Sequence, residues 1–135
     1  MAKKSSAEVV LYAGLGPATK PLGRKVPYKV YMGKSVGDLF FNDFGSLDKA
    51  LENYKGQSVS FHAEDPKILA GSLNQPSHEL KRPPEAENSA VDFALKMIEK
   101  YNLQGRICHL STKAALNKII EAKKNGVNVT CEVTP

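Results

Sequence analysis

The chain has 135 residues and a mass of 14.7 kDa, the size of one ordinary domain or of part of a larger one. With 41% hydrophobic residues it can bury a core, which excludes global disorder. Its 19 Lys and Arg against 14 Asp and Glu leave a net charge of +5, but the cations are scattered and form no long run, which argues against a nucleic-acid surface.

No apolar stretch approaches the roughly 18 residues of a membrane-spanning helix. The apolar segment after Lys3 and Lys4 is too short for a secretory leader and is broken by Gly14 and Gly16. Cys108 and Cys131 are too few for a disulfide framework. A soluble cytoplasmic protein is the expectation.

Short β-type runs alternate with helical stretches, which predicts an α/β fold with parallel pairing. Glu8–Tyr12 (EVVLY) reads as a strand that ends in a breaker run, with Gly14-Leu15-Gly16 as a turn. Pro27–Met32, Ser58–His62, Arg106–Leu110 and Val127–Val133 read as four more strands. A short helix over about Leu47–Tyr54 has Ser46 as its cap. Gly71–Pro84 reads as a long polar loop in which His78 is solvated. Glu85–Tyr101 follows Pro83-Pro84 with apolar residues at helical spacing. Lys113–Lys124 has Ser111 and Thr112 as possible caps and stops at Gly126. A strand–helix unit of an eight-fold barrel takes roughly 30 residues, so five strands in this length match just over half a barrel.

Side chains able to bind a metal or carry a proton end the later strands: His62 in FHAED, His109 in ICHLS and Glu132 in CEVTP. Lys29 interrupts the apolar run YKVYM. In parallel α/β folds, functional groups gather at the carboxyl ends of strands, so these four side chains have one mouth in common. Strict alternation puts Ser58, Ser60 and His62 on one face, pairs Ile107 with His109, and turns Cys108 away from His109. Each has a plainer reading. A strand-end histidine is commonly a hydrogen-bonded structural residue, and Lys29 alone is a snorkelling lysine. Met32-Gly33-Lys34-Ser35 lacks the earlier glycine of a phosphate loop, and Cys108 with Cys131 lacks zinc-finger spacing. Glu85 and Glu87 suit a helix N-terminus through its dipole.

Together the segments YKVYMGKSVG, FHAEDPKIL, HELKRPPEAENSA, GRICHLSTKAAL and GVNVTCEVTP, in that order, resemble dihydroorotases of the cyclic amidohydrolase superfamily. Allantoinases and dihydropyrimidinases share the HAE and RPPE segments, while the TCEVTP ending looks more like dihydroorotase. The resemblance implies a single partial domain over residues 1–135, an α/β partial (β/α)8 barrel. It also implies a zinc-dependent enzyme, with one or two ions in the intact site, that interconverts carbamoyl-aspartate and dihydroorotate in pyrimidine synthesis. Its metals would polarise the amide carbonyl and supply a bound hydroxide.

By position, His62 and His109 match the two histidines that hold the more buried metal. Lys29 matches the lysine that in many members becomes a metal-bridging carbamate. Cys108 and Glu132 match positions that hold an accessory metal in some relatives. The family's His-x-His pair with its following arginine has no counterpart here, nor does the eighth-strand Asp that acts as general base. Lys29, His62 and His109 therefore account for half of the family's ligands, and no catalytic proton-transfer residue is identified.

MAKKSSAEVV reads as internal sequence, so a truncated gene, a misplaced start or an expressed fragment is implied. The implied substrate is a small cyclic amide, and at most one weakly held zinc is expected for this chain alone. No nucleic acid or membrane is expected as a partner. Self-association, or pairing with the missing barrel segments, is expected through the unpaired sheet edges. The other readings are a non-catalytic module that docks on a complete homologue and a sister amidohydrolase.

Overall fold

The computed structural model describes residues 6–34 and 37–133. The Lys3–Lys4 pair, Ser35 and the last two residues of the TCEVTP segment therefore lie outside the described residues. In chain order the elements are β1 Ala13–Leu15, β2 Tyr28–Tyr31, α1 Phe44–Leu51 with a 3₁₀ turn at Glu52–Tyr54, and β3 Ser58–His62. These are followed by α2 Pro66–Ser72, α3 His78–Lys81, α4 Pro84–Lys100, β4 Gln104–Leu110, α5 Lys113–Lys124 and β5 Val129–Val133. The strands form one parallel sheet in the order β1-β2-β3-β4-β5, as the alternation of strand and helix signals predicts.

The sheet buries its apolar residues on one face. Tyr28, Val30, Val59, Phe61, Ile107 and Val129 are buried there against the helices, with Leu47, Ala94, Ile98 and Ile119 among the helix residues of the same core. Period-2 alternation sends Lys29, Tyr31, Ser60, His62, Arg106 and Glu132 to the other face. That second face is polar, whereas the centre of a closed barrel is dominated by branched apolar side chains.

Several helix ends follow from local chemistry. Thr112 caps α5 by accepting the Ala115 N–H, and Gly126 beyond its end has φ +88°. Asp43 caps α1 by accepting the Ser46 N–H at 2.8 Å and its hydroxyl at 2.6 Å, so Ser46 lies inside the helix and is not its cap. Asp65 caps α2, which begins with Pro66, and its second oxygen accepts the Ser89 hydroxyl of α4 at 2.6 Å. This buried carboxylate ties the end of β3 to the long helix.

Three expectations are corrected here. The first strand is Ala13–Leu15 and not Glu8–Tyr12, whose Val9, Val10, Leu11 and Tyr12 are exposed. Pairing decides this: Ala13 sits opposite Tyr28 and Leu15 opposite Val30, with Leu15 buried in the core and Ala13 packed against it. Gly14 and Leu15 are consequently strand residues and not a turn. The Gly71–Pro84 segment is not a continuous loop, because Ser77 accepts the Leu80 N–H and starts α3.

Candidate metal centre

The site forms where β3 and β4 end. His62 closes β3, and Glu64 follows two residues later in the extended chain beyond it. His109 lies near the end of β4, where the strand is irregular. From Ile107 to Leu110 the chain advances three residues while its partner advances two, from Cys131 to Val133. The extra residue is a bulge, and His109 takes φ +38°, a left-handed conformation that a residue with a Cβ adopts at a cost.

The bulge overturns strict alternation at this point. Ile107 stays buried under the helices, whereas Cys108 and His109 both turn to the polar face. Cys108 therefore does not point away from the site, and Ile107 does not share the face of His109. The result brings two rings together: His62 Nδ1 lies 2.7 Å from His109 Nε2, with ring centroids 4.5 Å apart.

A chain of polar contacts continues outward. His62 Nε2 lies 2.8 Å from Glu64 Oε2, and the same oxygen accepts a hydrogen bond from the Arg82 guanidinium. Burial pushes the Glu64 carboxyl up, but the His62 and Arg82 hydrogen bonds outweigh it and hold the group down at about 2. Burial, with the charge of Lys29 nearby, lowers the His109 pKa and favours its neutral imidazole. Glu87, at the start of α4, accepts the Ser111 N–H at 2.9 Å and the Thr112 N–H at 2.7 Å. It thereby braces the loop directly after His109, a role beyond the helix-dipole reading of its sequence position. These groups border an open cleft of about 690 Å³ that His78 also lines from α3. His78 is exposed, as expected.

Lys29, Cys108 and Glu132 meet in a neighbouring cavity of about 460 Å³ together with Tyr12, Tyr31, Ser60 and Arg106. Tyr31 stands between the two spaces. Its ring centroid is 5.6 Å from Lys29 Nζ and 5.5 Å from the His62 ring. Lys29 therefore shares the polar face of the histidines but lines the adjacent cavity. Glu132 is held by Arg106, Nη2 to Oε2 2.7 Å. Burial raises the Cys108 thiol, an effect that Lys29 opposes.

The two histidines suit a transition-metal ion. Glu64 accepts from Nε2–H of His62, which leaves a lone pair on Nδ1, the nitrogen that faces His109. His109 Nε2–H then donates to that Nδ1 across 2.7 Å, so the two nitrogens would supply part of the shell of a zinc ion only with the His109 proton moved to its Nδ1. Among the described residues no group of three or more His, Cys, Asp or Glu converges to complete it. Sequence spacing could have suggested Glu64, two positions from His62, but gave no sign of Arg82, 18 positions further along.

No protein-family model matches the sequence. The dihydroorotase of Thermococcus kodakarensis is 35% identical over 130 residues, which span 96% of this chain and 28% of that enzyme. An allantoinase of Bacillus velezensis is 28% identical over 151 residues, spanning 98% of this chain and 33% of that protein. Among solved structures, the L-hydantoinase (dihydropyrimidinase) of Arthrobacter aurescens superposes with a TM-score of 0.81 at 24% identity, over 93% of this chain and 32% of that one. The sheet and its helices thus match part of a hydantoinase (β/α) barrel.

Proposed function

Because this chain belongs to the cyclic amidohydrolases and spans 28% of the length of a dihydroorotase it matches, we propose that it supplies part of a dihydroorotase-type metal site. The reaction is the interconversion of carbamoyl-aspartate and dihydroorotate in pyrimidine synthesis, in the cytoplasm. The 2.7 Å approach of His62 Nδ1 to His109 Nε2, at the carboxyl ends of adjacent parallel strands, carries this reading.

Zinc supplies a Lewis acid toward an amide carbonyl. His62 and His109 would hold it through neutral imidazoles, with Glu64 orienting the first of them. Lys29, if its amine took up carbon dioxide to form a carbamate, would be an oxygen donor from the adjacent cavity. Cys108 and Glu132 would form the accessory position. The sequence contains three histidines, His62, His78 and His109, and no His-x-His pair. The remaining ligands and the general base must come from outside these 135 residues, so this chain alone binds at most one zinc and does not turn over.

Titrating the metal-free chain with zinc by calorimetry tests this reading. One weak site is expected, abolished in the His62→Ala/His109→Ala double variant. Equal binding by wild type and the double variant would refute the site. Hydrolysis of dihydroorotate by the zinc-loaded chain, lost in the same variant, would refute its incompleteness. The allantoinase likeness supports a second reading, another cyclic amide as substrate. Profiling allantoin, hydantoin and dihydroorotate on the completed barrel separates the two.

A further inference from the structure

With His62 and His109 read as metal ligands, the contacts behind them acquire a direction. Four side chains from three parts of the chain form one line: Arg82, Glu64, His62, His109. The Glu64 side chain is only 14% exposed and that of His62 16%, so the hydrogen bond between them is largely shielded from water. Arg82 is 38% exposed and lies between α3 and α4, where the chain borders the cleft. A single oxygen, Oε2, receives both His62 and Arg82. The guanidinium therefore fixes where that oxygen sits, and the oxygen fixes which His62 nitrogen carries the proton.

We propose that Glu64 and Arg82 are positioning residues for the metal centre. Glu64 holds His62 in its Nε2–H tautomer with the Nδ1 lone pair facing His109, and Arg82 holds Glu64 in place. Neither residue would be a ligand to the metal. A carboxylate behind a ligating imidazole fixes ring orientation and raises ligand basicity, and loss of such a partner typically costs about 10- to 100-fold in metal affinity. The arginine adds a charge-assisted hydrogen bond that a neutral residue cannot replace.

The full chain, prepared without metal, is examined as wild type, Glu64→Ala, Arg82→Met and Arg82→Lys. Two readouts are needed. Two-bond ¹⁵N–¹H correlation spectra report the tautomer of His62, and calorimetry reports zinc affinity. Wild type is expected to show His62 almost wholly as Nε2–H. Glu64→Ala should give a mixed tautomer signal and a zinc affinity about 10- to 100-fold weaker. Arg82→Met should move both readouts the same way by less, and Arg82→Lys should recover part of the loss.

Arg82 is a surface position, so its two variants keep the test informative if Glu64→Ala fails to fold. A His62 signal and a zinc affinity unchanged in Arg82→Met and in any folded Glu64→Ala would overturn the proposal while leaving the metal site standing. Zinc binding that survives His62→Ala/His109→Ala would instead remove the reading on which it rests.

Discussion

Gly105→Ala measures how closely α4 sits on the sheet. Gly105 lies inside β4, opposite Val59 of β3 and Val129 of β5. A Cβ built there would stand 2.2 Å from Ile98 Cδ1, 2.5 Å from Cγ1 and 3.2 Å from Cγ2. Ordinary carbon contacts lie at about 3.5–4.0 Å, so the nearest approach falls short by more than ~1 Å. Ile98 is 1% exposed, and a β-branched side chain in a helix has one strongly preferred χ1, so rotation offers little relief. The helix must therefore lift from the sheet.

Overpacking of this kind costs typically about 1–3 kcal/mol, and contact with three atoms of one stiff residue points to the upper end. At ~1.4 kcal/mol per tenfold, about 3 kcal/mol is a roughly 150-fold fall in the folding constant. Backbone preference alone predicts the opposite sign, because glycine inside a strand loses about 0.5–1 kcal/mol relative to alanine. Urea titration followed by circular dichroism gives the measurement. Ile98→Ala alone should cost about 2–5 kcal/mol, and the Gly105→Ala/Ile98→Ala pair should cost less than the sum, because the new methyl occupies vacated space. A single Gly105→Ala variant within ~0.5 kcal/mol of wild type, or a strictly additive pair, would refute the reasoning.

Two further outcomes can be checked directly. Lys100 reaches both Asp48 oxygens at 2.8 and 2.9 Å and the Tyr101 hydroxyl reaches one at 2.6 Å, so these bonds hold the Asp48 carboxyl below its ordinary 3.8. The stabilisation from a depressed carboxyl is complete above that ordinary value and lost as pH falls through the folded one, so Asp48→Asn should be less stable at neutral pH and show a flatter acid limb in pH-dependent melting. At micromolar concentration we expect sedimentation velocity to show self-association through the two sheet edges, with Val133→Lys on β5 shifting it toward monomer; a concentration-independent wild-type monomer would contradict this.

Much of the architecture was legible in the residues because the signals were redundant. Lys113–Lys124 carries a cap, an apolar stripe and a terminating glycine, and the helix has those bounds. Where one signal stood alone, it misled. EVVLY is the more apolar run, yet Ala13–Leu15 is the strand, because pairing with Tyr28 and Val30 selects it and no local propensity encodes that partner. α2 went unread although Asp65-Pro66 is a proper start, because PKILAGS is short and buries no residue fully.

At the site, His62 and His109 were legible as strand-end histidines. That Cys108 and His109 share a face was not, since a bulge is a property of the paired strands and not of either sequence. Arg82 was invisible for the same reason: its partner is close only after the chain has folded.

The two sides of the sheet divide their duties. Cohesion comes from the helix-covered side, while Lys29, Tyr31, Arg106 and Glu132 contribute little to it. Exchanging these four residues is accordingly cheap for folding. A lineage can alter what its mouth recognises without first finding compensating changes in the scaffold that holds the mouth open.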